Sequence, residues 1–206
     1  MASTRERLTT LCEEHGTTFA EESGLHLRDQ PAPLFQLLVL TSLLSANLDR
    51  ALGVRAADAV RRAHPTSARL REDGEDAVHE TLVEARYLRK RQTARQLVAL
   101  ADEVEDRWDG DLRRLRDDVD GDADALGDRL QDFTGIGAVG ADIFRREVQA
   151  VWPAIRPYAD QRVLDLARAH DLPHTVSGLA SATDGAGLGL EVVGAALVRA
   201  EKAESD

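Results

Sequence analysis

Apolar residues recur at three- and four-residue spacing along nearly the whole chain, the repeat of a helix that buries one face. The repeat is densest at Leu34, Leu37, Leu38, Thr41, Leu44 and Leu48. Apolarity alone would also suit a buried strand there. The leucine content, the length and the entry through Pro31 and Pro33 favour a helix, because a first turn tolerates proline. This is expected to be the central, most buried element. Further amphipathic helices are expected over residues 54–63, 75–87, 90–108, 122–132, 137–151, 160–170 and 188–201. Breaks fall at residues 24–33, 64–66, 109–111, 119–124, 151–157 and 183–189. Short turns of this kind join helices packed against their sequence neighbours. No segment alternates apolar and polar positions over a strand's length, and no solenoid period recurs. The pattern predicts an all-α protein.

Composition narrows the classes. The 206 residues are 43% hydrophobic and 31% charged, a balance that supports one full core or two small lobes. No uncharged apolar stretch approaches the roughly 20 residues that span a bilayer. The first residues, MASTRERLTT, lack the apolar core of a secretory leader, so the expected location is cytoplasmic. The single cysteine, Cys12, can form neither an intramolecular disulfide nor a cysteine metal cluster, and no cation beside it in sequence activates its thiol. None of the six histidines has metal-ligand spacing; His170 and His174 are four apart, but Pro173 lies between them. No serine sits in a Gly-x-Ser-x-Gly elbow. Trp108 and Trp152 are expected to pack the core or a helix junction. No metal and no cofactor are expected.

The net charge of -11, from 26 basic and 37 acidic residues, argues against a nucleic-acid partner if taken globally. Such a composition can equally be a habit of a whole proteome, and one face can differ from the average. The only lysines are Lys90 and Lys202. Arg86, Arg89, Lys90, Arg91 and Arg95 form the one dense basic cluster, with no acidic residue from Tyr87 to Ala101. Arg91 and Arg95 share a helix face and either contact phosphates or offset the acidic surface. The acidic stretch 101–132 reads as solvated surface.

The segment Phe133-Thr134-Gly135-Ile136-Gly137-Ala138-Val139-Gly140-Ala141 carries the most chemistry. A helix is expected before it and another directly after. Two glycines allow a tight turn and a close backbone approach to a ligand, and the following helix presents unpaired N–H groups. An anion such as a phosphodiester fits there, although a plain helix–helix turn explains the glycines as well. The string also spells Gly-x-Gly-x-x-Gly, but no strand precedes it, which excludes a dinucleotide fold.

This segment resembles the helix-hairpin-helix of endonuclease III-type DNA glycosylases, Leu-Pro-Gly-Val-Gly-x-Lys-Thr-Ala. Three more landmarks follow the same order: Leu43-Leu44-Ser45-Ala46-Asn47 resembles Leu-Leu-Ser-Ala-Gln, Ala85-Arg86-Tyr87-Leu88 through Ala94 resembles Gly-Leu-Tyr…Lys-Ala, and Ala159-Asp160-Gln161-Arg162 resembles Val-Asp-Thr-His. The resemblance covers residues 34–172. It implies a two-lobed helical fold, with residues 33–130 as one lobe and 1–32 plus 131–206 as the other, and an active site in the cleft between them. It implies a monomer that flips a base out of double-stranded DNA and releases it, with Asp160 catalytic. Gly135, Ile136, Gly137, Val139 and Gly140 would grip the DNA backbone, with Asn47, Arg91 and Arg95 as further DNA contacts and Tyr158 in the substrate pocket.

The departures are specific. Val139 stands where strand-cleaving members carry a lysine nucleophile, so Schiff-base lyase chemistry is not expected. The cluster cysteines are missing, as is the central-helix glutamate of the adenine-mismatch branch, since no acidic residue occurs from Leu34 to Leu48. The spacing from Val139 to Asp160 is a few residues longer than usual. The resulting expectation is monofunctional hydrolysis of a damaged or mismatched base. Asp160 also reads as a helix cap, a role compatible with catalysis. Asn47 also reads as a polar end to the central helix. Arg145, Arg146 and Arg162 are further candidate helpers. The rivals are a non-catalytic helix-hairpin-helix DNA-binding protein and an acidic helical interaction module.

Overall fold

The computed structural model describes residues 2–46 and 49–203. Among these, twelve α-helices account for the regular structure, with one 3-10 turn at Pro153–Ile155 and no strand. In order they are α1 (Thr4–His15), α2 (Phe19–Glu22), α3 (Pro31–Leu44), α4 (Arg50–Ala63), α5 (Ser67–Glu84), α6 (Lys90–Trp108), α7 (Arg113–Asp118), α8 (Ala123–Gln131), α9 (Ala138–Val148), α10 (Gln161–Ala169), α11 (Val176–Ala186) and α12 (Leu190–Ala203). The all-α expectation holds.

Helix α3 is the core. Every residue from Leu34 to Leu43 is buried, as a helix apolar on all sides must be. It packs on α4, α6 and α9. A second group forms where α12 receives α1, α10 and α11. Helix α9 touches α8, α3 and α12, so the helix leaving the glycine turn joins the two groups. Trp152 is fully buried, edge-on to Phe144 at 5.8 Å, with its indole N–H donating to Asp29 at 2.8 Å.

Several helices start earlier than periodicity predicts because a polar cap defines the start. Asp49 caps α4 through the Ala51 N–H, and Thr66 caps α5 through the Arg69 N–H. Helix α5 therefore begins at Ser67, with a break at Gly74, where φ is 74°. The short α2 and α7 and the small-residue α11 have no separate expectation in the sequence. Helix α11 buries only Leu179 and Thr183, so its pattern carries almost no periodic signal.

Candidate functional site at the glycine turn

After α8 the chain turns through Asp132–Gly137. The Ile136 N–H donates to the Phe133 carbonyl at 3.1 Å. The N–H and hydroxyl of Thr134 donate to the Glu103 carboxylate of α6, at 3.1 and 2.5 Å, and tie the turn to that helix. Gly135 has φ 81°, a left-handed conformation that only glycine adopts without strain. Gly137 is different. It occupies the N-cap position of α9 in an extended conformation, and no side chain caps that helix. A Cβ there would meet nothing within 4 Å, so the fold itself makes no demand for glycine at 137. The backbone is left open at the positive end of a helix dipole.

This turn forms one wall of a cleft of about 490 Å³. The end of α3 supplies Ser42, Ser45 and Ala46, and the start of α6 supplies Arg89, Gln92, Thr93 and Gln96. The loop between α5 and α6 aims Arg89 inward. Arg86 and Arg89 both have positive φ, 56° and 54°, a costly state for residues other than glycine that recurs at functional sites. Between them the buried Tyr87 donates its hydroxyl to the Leu43 carbonyl at 3.2 Å, which joins two of the sequence landmarks. Leu88 is left 51% exposed. Arg89 forms no side-chain hydrogen bond or ion pair among the described residues. Val139, on the first turn of α9, is 58% exposed and lines the same cleft.

Arg91 and Arg95 face elsewhere. Arg91 pairs with Asp76 at 2.6 Å, and Arg95 lies 3.6 Å from Glu75, both acids being on α5. The spacing explains the split: positions 89, 92 and 96 fall on one helix face, while 91 and 95 fall on its flank. Gln92 and Gln96 line the cleft without any expectation in the sequence, and Arg89 was expected only as one member of the basic cluster. Their signal was available in the three- and four-residue spacing of polar residues along one edge of the core face of α6.

Asp160 is 8% exposed and caps α10, with Oδ1 accepting from the Val163 N–H at 3.1 Å. Its Oδ2 pairs with Arg146 Nη1 at 2.8 Å. It is not among the residues lining the 490 Å³ cleft. Tyr158 donates its hydroxyl to Asp142 at 2.6 Å, and the Arg145 guanidinium lies over its ring, 4.4 Å from the centroid. Burial and the bond to Asp142 push the phenol well above its ordinary pKa, so it stays a neutral donor. Arg145 pairs with Asp142 and Arg162 with Glu201. The three further candidate arginines, Arg145, Arg146 and Arg162, are thus all committed to carboxylates. Asn47 lies outside the described residues.

Among the described residues, no three His, Cys, Asp or Glu side chains gather to hold a metal, and no helix is long and apolar enough to cross a membrane. Fold and site together define an all-α protein with a glycine-turned pair of helices beside a polar cleft. No model of a known protein family matches the sequence, and no curated protein matches it. The chain is similar in course to a solved structure described as a trapped endonuclease III–DNA covalent intermediate, an estranged-adenine complex. The likeness covers 96% of this chain and 85% of that one, at a TM-score of 0.48 and 16% identity.

Proposed function

We propose that the protein is a monofunctional DNA glycosylase, which grips double-stranded DNA through the Gly135–Gly140 turn and hydrolyses the bond between a flipped base and its sugar. The observation that carries this reading is the uncapped start of α9 at Gly137, which lines the same cleft as the unpaired Arg89. Backbone N–H groups and one free guanidinium suit a phosphodiester. The four sequence landmarks, in their order, support the assignment to base release rather than to phosphate binding in general. The two lobes, residues 33–130 and the flanking segments, would close on the DNA from either side as a monomer.

The chemistry follows from Asp160. As the bond between C1′ and the base nitrogen breaks, positive charge grows on the sugar, and a nearby carboxylate stabilises it. Water adds at C1′, its proton passes to a basic group, and the products are the free base and an abasic sugar. With valine at 139 no amine attacks C1′, so the strand stays intact. Flipping a base vacates part of the stack. Leu88, exposed beside Arg89, is an apolar group suited to fill that gap.

A second reading has its own support. Both Asp160 oxygens already have partners, and this favours a non-catalytic DNA-binding protein that uses the same turn. Duplexes carrying uracil, a thymine–guanine mismatch, an oxidised pyrimidine or an alkylated purine separate the two. Base release without strand scission supports the glycosylase; binding without any release supports the alternative.

A further inference from the structure

Asp160 is held more tightly than a helix cap requires. Capping uses one oxygen, Oδ1, on the Val163 N–H. The other is taken by Arg146, and both side chains of this pair are almost wholly buried. Burying an ion pair is a poor route to stability, because desolvation of two charges offsets their attraction. Yet the surroundings are built around the arginine. In the middle of α12, a Cβ at Gly194 would come within 2.9 Å of Arg146 Cδ, so the glycine admits the arginine stem. The Phe19 ring lies against the guanidinium, 5.9 Å from its centroid. That ring is set in turn by Glu147, whose buried carboxylate accepts the N–H groups of Phe19 and Ala20 at 3.2 and 3.0 Å.

At the C-cap of α9, three residues beyond Arg146, Gln149 completes the support. Its side-chain amide accepts the Tyr158 N–H at 3.1 Å and donates to the Tyr158 carbonyl at 2.9 Å, locking the backbone two residues before Asp160. One helix therefore holds both the carboxylate and the loop that carries it. The same helix starts at Gly137, roughly 14 Å from Arg146 at about 1.5 Å per residue.

We propose that Arg146 is a positioning residue for base release: it fixes the Asp160 carboxylate to the helix that begins at the DNA-gripping turn. Grip and chemistry are then referenced to one rigid element, and a strand held at Gly137 is held at a set distance from the carboxylate. The proposal rests on the reading of Asp160 as the catalytic carboxylate.

Single-turnover base release and duplex affinity are measured for wild type, Arg146→Met, Arg146→Lys, Asp160→Asn and the Arg146→Met/Asp160→Asn double variant. Arg146→Met is expected to slow release roughly 100-fold, the scale of an ångström-level misplacement, with duplex Kd unchanged. Arg146→Lys is expected to restore part of the rate. The double variant is expected to be no slower than Asp160→Asn alone, because Arg146 acts only through that carboxylate. Thermal unfolding reports which variants fold, and if Arg146→Met does not, Arg146→Lys carries the comparison with an intermediate rate and unchanged affinity. Release at the wild-type rate by a folded Arg146 variant overturns the proposal, as does a loss of DNA affinity equal to the loss of rate. If wild type releases no base from any duplex, the reading of Asp160 has failed and the proposal falls with it.

Discussion

Gly135 and Gly137 sit two residues apart in one turn, and their alanine variants should fail in opposite ways. At Gly135 the backbone has φ 81°. Alanine there incurs left-handed strain of about 1–2 kcal/mol, which lowers Tm by roughly 2–8 °C in a chain of this size. At Gly137 the backbone is extended and a Cβ meets nothing within 4 Å, so alanine is free of strain. It also restricts the unfolded chain, for a stability gain of up to about 1 kcal/mol. The new methyl group projects into the space where a phosphate would approach the start of α9. Losing one hydrogen bond to a charged oxygen costs about 1.5–3 kcal/mol, so duplex Kd should rise roughly 10- to 100-fold. Thermal unfolding and a fluorescence-anisotropy titration on a short duplex measure the two effects separately. If Gly137→Ala binds duplex as tightly as wild type, the turn does not bind phosphate through its backbone. If Gly135→Ala loses no stability, the positive φ is wrong as the reason for that glycine.

The remaining expectations concern charge and burial. Arg89→Glu should weaken duplex binding and flatten its salt dependence by about one phosphate contact, whereas Arg91→Glu, whose parent side chain is occupied by Asp76, should change both much less. Titrations across a salt series check this, and equal effects would contradict the face assignment. The His64 ring beside Asp73, at 2.7 Å, holds the Asp73 carboxyl below its ordinary pKa. Stability from that contact is therefore present above the unfolded-state value of about 3.9 and lost as pH falls through the lower folded value. The Tm gap between wild type and Asp73→Asn should narrow below about pH 4, as seen by calorimetry. Burial pushes the Cys12 thiol up to about 11. Alkylation by iodoacetamide near pH 8 should run about two orders of magnitude slower than for a free cysteine of pKa about 8.5.

Helix type and the turn were legible in the sequence because each has a local cause. The unbroken apolar run of α3 can only be a buried element, and two glycines between helical patterns mark a turn. Helix ends were less legible: Asp49 and Thr66 move two starts upstream of the first periodic residue, a capping effect that periodicity does not register. Helix α11 was hidden because small residues contribute little to a hydrophobic pattern. At the site, composition pointed to the basic cluster beside the cleft but not to which of its members lines the cleft. Arg91 and Arg95 share one helix face of that cluster, yet α5 presents Glu75 and Asp76 to them, a tertiary fact. Arg89 escapes such pairing because the left-handed loop turns it into the cleft. The same limit applies to Asp160. Its role as the cap of α10 follows from its place before Gln161, but its pairing with Arg146, 14 residues away, depends on how α9 and α10 meet.

The most direct test of the account is the release of base by wild type and by Asp160→Asn on the same lesion-bearing duplexes, scored apart from strand breakage. The account predicts free base and intact, alkali-labile strands from wild type, and near-wild-type binding by Asp160→Asn with residual release far slower than that of any single Arg146 variant. Binding by both proteins with no base released by either would contradict it.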